Sequence, residues 1–210
     1  MKKRFVPFLV LLFLWSATIA QQDAMKKFTR AYYRSNPFEM TFGKFVEHVM
    51  LDPTLSSRVR SPRTDTSLFI FSATYTSFNP FQFKPARVDV ALLEQNIQLY
   101  EGRPQGDTIM LYVIIAHGDS TGSGLSEIKK EYDRITRRNK RIFFNAKEES
   151  IGEDGVDGMI TNFFVSYAQL SPVSVEWISG LGSRPLLRLT MRIRNRGNET
   201  VLPMSLYDSQ

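Results

Sequence analysis

At Leu68 the hydrophobic period of this chain changes to two, whereas the residues before it follow i, i+3, i+4 spacing. The first pattern puts alternate side chains on opposite faces of a sheet, and the second lines one side of a helix. Leu68 to Phe78 sets Phe69, Phe71, Ala73 and Tyr75 on one face and Ser72, Thr74 and Thr76 on the other, until Asn79-Pro80 breaks the run. Arg87 to Leu93 predicts a second strand with Val88, Val90 and Leu92 inward, and Gly102 to Gly106 marks a turn. Thr108 to Ala116 is apolar in both registers, as expected of a central strand covered on each side. Met159–Ala168, Val173–Ile178, Leu186–Arg194 and Thr200–Leu206 predict further strands, with a hairpin turn at Asn195–Asn198.

Upstream, Met25, Phe28, Ala31 and Tyr32 form one side of an amphipathic helix over 23–34. Asn36-Pro37-Phe38-Glu39 reads as the start of a second helix: Asn as N-cap, Pro at N1 and Glu at N3, able to reach back. Its apolar positions are Phe42, Phe45, Val46, Val49 and Met50, and Asp52-Pro53 stops it. Residues 56–67 read as an exposed connection. A third helix runs from Leu125 to about Arg138, with Leu125, Ile128, Tyr132 and Ile135 inward and Asp133 placed to support Arg137 at i+4. This order does not alternate as βαβ units do. It predicts an α+β fold, two N-terminal helices and one internal helix on a largely antiparallel sheet. The sequence shows no internal repeat. The expected organisation is a cleavable segment 1–20, a helical segment and linker 21–67, and a strand-rich core 68–210 that forms one domain with 21–67.

Segment 1–20 has the secretory layout: Lys2, Lys3 and Arg4, an apolar run from Phe5 to Trp15, then small residues Thr18 and Ala20 at the minus-three and minus-one positions. The run is shorter than the roughly 20 residues a membrane-spanning helix needs, so no transmembrane segment is expected after cleavage. The chain carries 27 Lys+Arg against 21 Asp+Glu. Removing the three basic residues of 1–20 leaves 24 against 21, a charge of +3. That weakens any nucleic-acid reading. The absence of cysteine excludes a disulfide framework, a thiolate metal site and a lipidated cysteine. Export to a bacterial periplasm or to the exterior is the expectation.

Catalytic motifs are sparse. Gly118-Asp119-Ser120-Thr121-Gly122-Ser123-Gly124 follows a strand and precedes a helix, and it fits the G-x-S-x-G nucleophile elbow. It also resembles the Gly-Asp-Ser block of the GDSL (SGNH) hydrolases, a resemblance that implies Ser120 as nucleophile. Both families place their base histidine after the serine, and no histidine follows His117 here. The hydrolase alternative therefore rests on Ser120 with His117 as an irregular base. The loop lacks the lysine of a P-loop and the spacing of a dinucleotide fingerprint, so no cofactor is expected. His48 and His117 have no spacing that joins them, and Glu153-Asp154-Gly155-Val156-Asp157-Gly158 lacks calcium-loop spacing; no metal is expected. Asn198-Glu199-Thr200 matches a glycosylation acceptor.

Two basic features remain. Leu187, Leu189, Met191 and Ile193 alternate with Arg188, Thr190, Arg192 and Arg194, which predicts an apolar face backed by a row of guanidinium groups. Arg188, Arg192 and Arg194 are the candidate binding residues, suited to a partner protein or an anionic surface. Lys129 to Lys147 carries eight basic side chains interleaved with acids and reads as a charged helix face. The expected function is that of an exported, non-enzymatic binding or structural accessory protein of a bacterial envelope. The alternatives are the hydrolase, and a small apolar-ligand carrier lined by Phe69, Phe71, Tyr75 and Phe81.

Overall fold

Two four-stranded meanders are joined through their last strands. The computed structural model describes residues 23–60, 69–96, 108–120, 122–153, 155–165, 171–180 and 184–195; segment 1–20, the glycine turn at 102–106, the strand at 200–206 and the acceptor Asn198 lie outside them. Helix α1 covers 23–32, a 3₁₀ turn covers Pro37–Glu39, and α2 covers Phe42–Met50. Strands β1 (Leu55–Arg60), β2 (Phe69–Tyr75), β3 (Arg87–Asn96) and β4 (Thr108–His117) follow. Helix α3 (Gly122–Asn139) then leads to β5 (Asn145–Glu153), β6 (Val156–Phe164), β7 (Val173–Gly180) and β8 (Leu186–Asn195). All neighbours are antiparallel, in the order β1-β2-β3-β4-β8-β7-β6-β5. The fold is α+β, as the sequence predicts.

That order requires the chain to leave β4, at the middle, and re-enter at β5, the far edge. Four inter-strand steps of about 4.8 Å separate the two strands, some 19 Å. The 18 residues of α3 rise about 27 Å, enough to cross that half of the sheet diagonally. Helix α3 packs on β7 and β8 through Ile128, Tyr132 and Ile135, all buried. Tyr132 and Thr161 on β6 share a short hydroxyl–hydroxyl hydrogen bond, and the Lys129 ammonium lies 4.1 Å from the Trp177 ring on β7.

The other half of the same face lies under α1 and α2. Met25, Phe28 and Tyr32 are fully buried, as are Phe45 and Val49. They meet the sheet at Tyr112 of β4, whose ring centroid is 4.6 Å from Tyr33 and 5.1 Å from Phe45. Phe143, just after α3, is 6.0 Å from Phe28 and 5.2 Å from Phe163, so a chain of aromatic contacts links both meanders to α1. The ends of α1 and α2 are tied by Arg34, whose Nε is 2.7 Å from the buried Asp52 carboxylate. Asp52 also accepts from the Thr54 backbone N–H and hydroxyl at 2.9 and 2.7 Å, which fixes the turn that stops α2.

Three local expectations need correction. The segment read as one helix from Asn36 is two pieces. Asn36 does act as a cap, its Oδ1 accepting from Phe38 N at 3.1 Å, but it caps a three-residue turn. Two residues past the buried Phe38, Met40 ends that turn in an extended conformation (φ −150°, ψ 170°), and α2 starts afresh after Thr41. Glu39 does not reach back to the cap; it pairs with Arg30 at 3.5 Å. The connection expected over 56–67 contains β1, whose exposed residues and lack of alternation hide an edge strand. Its ladder slips between Ser56 and Val59, with Ser57 at φ 49°, a bulge of the kind that twists a sheet edge away from chance partners. The opposite edge, β5, takes the end of the stretch expected to be a charged helix face. Lys147, Glu148 and Glu149 stand on it, with Lys147–Glu149 and Lys140–Glu148 pairs at 2.7 Å. Charged side chains on a sheet edge also discourage pairing with another chain.

Candidate anion-binding site

The glycine-rich loop is a packing device. Gly118 N donates to Pro185 O at 2.7 Å, and Ala86 N donates to His117 O at 2.8 Å, which anchors the end of β4 from both sides. The chain then folds back so closely that a Cβ on Gly124 would stand 2.2 Å from the Asp119 carbonyl oxygen and 2.7 Å from its nitrogen. A Cβ on Gly118 would meet Ile128 and Pro185 at 3.1 Å. Both glycines are thus demanded by the approach of loop to helix, whereas Gly122 faces open space.

The candidate catalytic pair is not assembled. Ser120 is exposed, and its described hydrogen bond runs to Asp119 Oδ1 at 3.4 Å. His117 Nε2 lies 2.9 Å from Asp89 Oδ2 and 3.3 Å from Arg87 Nη2. Arg87 Nε contacts the same carboxylate oxygen at 2.9 Å, and the Thr74 hydroxyl donates to Asp89 Oδ1 at 2.7 Å. Burial pushes the Asp89 carboxyl up, but hydrogen bonds from His117 and Thr74 and the Arg87 charge outweigh it, so the net displacement is downward. This cluster stitches β2, β3 and β4 at one end. His48 is elsewhere, its Nδ1 3.1 Å from the Ser35 hydroxyl. Among the described residues no three His, Asp or Glu side chains could share a metal ion.

The arginines of β8 do share one face, but the sheet engages them. Across the β4–β8 ladder, Arg188 stands opposite Ile115, Arg192 opposite Leu111 and Arg194 opposite Ile109. Their aliphatic stems border the apolar outer side of the central strand. Arg188 pairs with the buried Glu176 on β7. Arg192 Nη1 donates to the Ser171 carbonyl at 3.0 Å, and Arg194 is only 5% exposed. Of the aromatic carrier candidates, Phe71, Tyr75 and Phe81 are plain core.

The exposed basic surface lies on α3. A cavity of about 770 Å³ opens between that helix and the connection before β3, lined by Gln82, Phe83, Glu127, Lys130, Glu131, Asp133, Arg134, Arg137, Arg138 and Arg141. Residues 127, 130, 131, 134, 137 and 138 recur at three- and four-residue steps, so they form one side of α3, and Arg141 follows just past its end. At the floor is Glu131, 4% exposed, which accepts from Arg134 at 2.8 Å (Nε) and 2.5 Å (Nη2) and from the Gln82 backbone N–H at 3.1 Å. Asn79 shapes the opposite wall, accepting from Phe81 N at 3.0 Å and donating to Phe83 O at 2.9 Å. The side chains of Lys130, Arg137, Arg138 and Arg141 are exposed and make no ion pair or hydrogen bond with described residues. Asp133 does not pair with Arg137, contrary to the i, i+4 expectation. The negative C-terminal end of the helix opposes an anion by about 0.3–1 kcal/mol, less than the roughly 1.5–3 kcal/mol of a single charge-assisted hydrogen bond. The three-and-four spacing of basic residues from 130 to 141 is the signal that locates this site in the sequence; the surrounding acids mask it.

Two outcomes follow from these contacts. Gly124→Ala forces the loop off the helix and costs about 1–3 kcal/mol, while Gly122→Ala is neutral or stabilising by up to about 0.5 kcal/mol; urea unfolding midpoints separate the two. Asp89 has a folded-state pKa below its unfolded value of about 3.9. Its stabilising contribution is therefore present above that value and lost as pH falls through the folded one. Between pH 5 and pH 2, Asp89→Asn should show a shallower loss of stability than the native chain; parallel slopes would remove Asp89 from the acid response. No protein-family model, no curated protein and no solved structure matches this chain.

Proposed function

We propose that the chain is an exported, non-enzymatic binding protein of a bacterial cell envelope, acting by contact with an anionic partner or surface. The observation that carries this reading is the set of four exposed cations, Lys130, Arg137 and Arg138 on α3 and Arg141 just past its end, which make no ion pair or hydrogen bond with described residues beside an open cavity. Charges without internal partners contribute nothing to holding the fold, and they are placed to meet an external anion. The secretory layout of residues 1–20 supports the compartment. The absence of a hydrogen bond between Ser120 and His117 favours binding over hydrolysis. Arg188, Arg192 and Arg194 lie on the reverse face of the sheet and serve as a second basic surface in this reading, one already tied into the sheet.

Binding to phosphatidylglycerol-containing vesicles tests the proposal. Each surface cation near an anionic membrane contributes about 1 kcal/mol, so Arg137→Glu, Arg138→Glu and Arg141→Glu together should weaken binding by about a hundredfold or more. Raising salt should weaken the native protein in the same direction. Lys27→Gln, whose ammonium is paired with Asp23 on α1, should change it little. Binding that is indifferent both to the triple reversal and to salt would overturn the reading.

A further inference from the structure

We propose that the cavity between α3 and residues 82–83 is a discrete site for a compound carrying two or more phosphate groups, with Phe83 as its apolar wall. The inference rests on the reading of α3 as the anion-contacting face and narrows it from dispersed charge to one ligand class.

The chain itself shows how this cavity handles a single carboxylate. Glu131 takes both forks of Arg134 and one backbone N–H from Gln82, and is thereby satisfied. Five cations line the cavity against three carboxylates, and Glu131 neutralises one of the five. Glu127 and Asp133 reduce the remainder, and neither is paired with a lining cation. The excess is concentrated at one end, where Arg137, Arg138 and Arg141 occupy the last turn and its exit. Eight residues separate Lys130 from Arg138, both exposed on the helix, about 12 Å along its axis. One orthophosphate does not span that distance. Two phosphate groups on a spacer do, one at the Lys130 ammonium and one at the guanidinium forks of Arg137, Arg138 and Arg141 that suit its oxygens. The volume of about 770 Å³ falls within the range for sites that hold small organic ligands. The Phe83 ring, 5.8 Å from Phe81, gives the spacer an apolar surface that a bare electrostatic patch lacks.

A soluble organic bisphosphate, fructose 1,6-bisphosphate, is the probe, titrated calorimetrically into the full mature chain beside inorganic orthophosphate. The bisphosphate should bind at least about tenfold more tightly than orthophosphate. Arg138→Gln with Arg141→Gln should abolish that difference, Lys27→Gln should preserve it, and Phe83→Ala should weaken the bisphosphate alone. Matching unfolding midpoints establish that the variants are folded. A second arm identifies the natural source of the phosphates. Vesicles bearing a bisphosphorylated lipid headgroup either displace the soluble probe, which assigns the site to a membrane lipid, or leave it bound, which assigns it to a free phosphate ester. Equal affinity for bisphosphate and orthophosphate, or an unchanged preference in the double variant, overturns the proposal. Salt-sensitive vesicle binding that persists beside that result leaves the broader anionic reading standing and removes only this site.

Discussion

The structure depends on the pairing of β4 with β8. Ten residues of each run antiparallel without a break in register, from Thr108 opposite Asn195 to His117 opposite Leu186. On the helix-covered side the partners are Met110–Ile193, Tyr112–Met191, Ile114–Leu189 and Ala116–Leu187, all buried. Neither meander alone could bury that face. Each has one side chain layer that needs the other's last strand beside it and a helix above it. The seam therefore turns two α-plus-meander halves into one hydrophobic core.

On the reverse side the same ladder sets arginine against aliphatic residues. Arginine suits this position because its stem can lie along apolar surface while its planar fork finds acceptors at the rim. Glu176 and the Ser171 carbonyl supply them. The cations of α3 stand in a different situation. They lie from the middle of α3 to just past its end, with no acceptor among the described residues. One set helps hold the sheet and the other is exposed to solvent. That difference comes from acceptor supply, not from the number of charges.

Much of the fold was legible because burial leaves a period in the sequence. The strands at 69–75, 87–96, 108–117, 173–180 and 186–195 all carry alternating or continuous apolar runs, and α3 carries its inner stripe at Leu125, Ile128, Tyr132 and Ile135. The two edge strands carry neither signal. β1 and β5 are polar because an edge must resist further pairing, and that protection erases the alternation by which strands are recognised. The topological duplication was equally hidden, since both halves repeat an order of elements without repeating residues. The candidate site was only half legible. The basic spacing on α3 is in the sequence, but its opposite wall, Gln82 and Phe83, comes from about fifty residues earlier in the chain. The Gly118–Gly124 loop misled for the converse reason. Close packing of loop on helix demands the same small residues as a nucleophile turn.

Native-state amide hydrogen exchange tests the central role of the seam most directly. The slowest amides are expected in β4 and β8 together, opening with one common free energy, while β1 and β5 exchange by local fraying. A second meander, β5 to β8, that opened as a separate unit while β4 stayed protected would contradict the view that one ladder makes the two halves a single core.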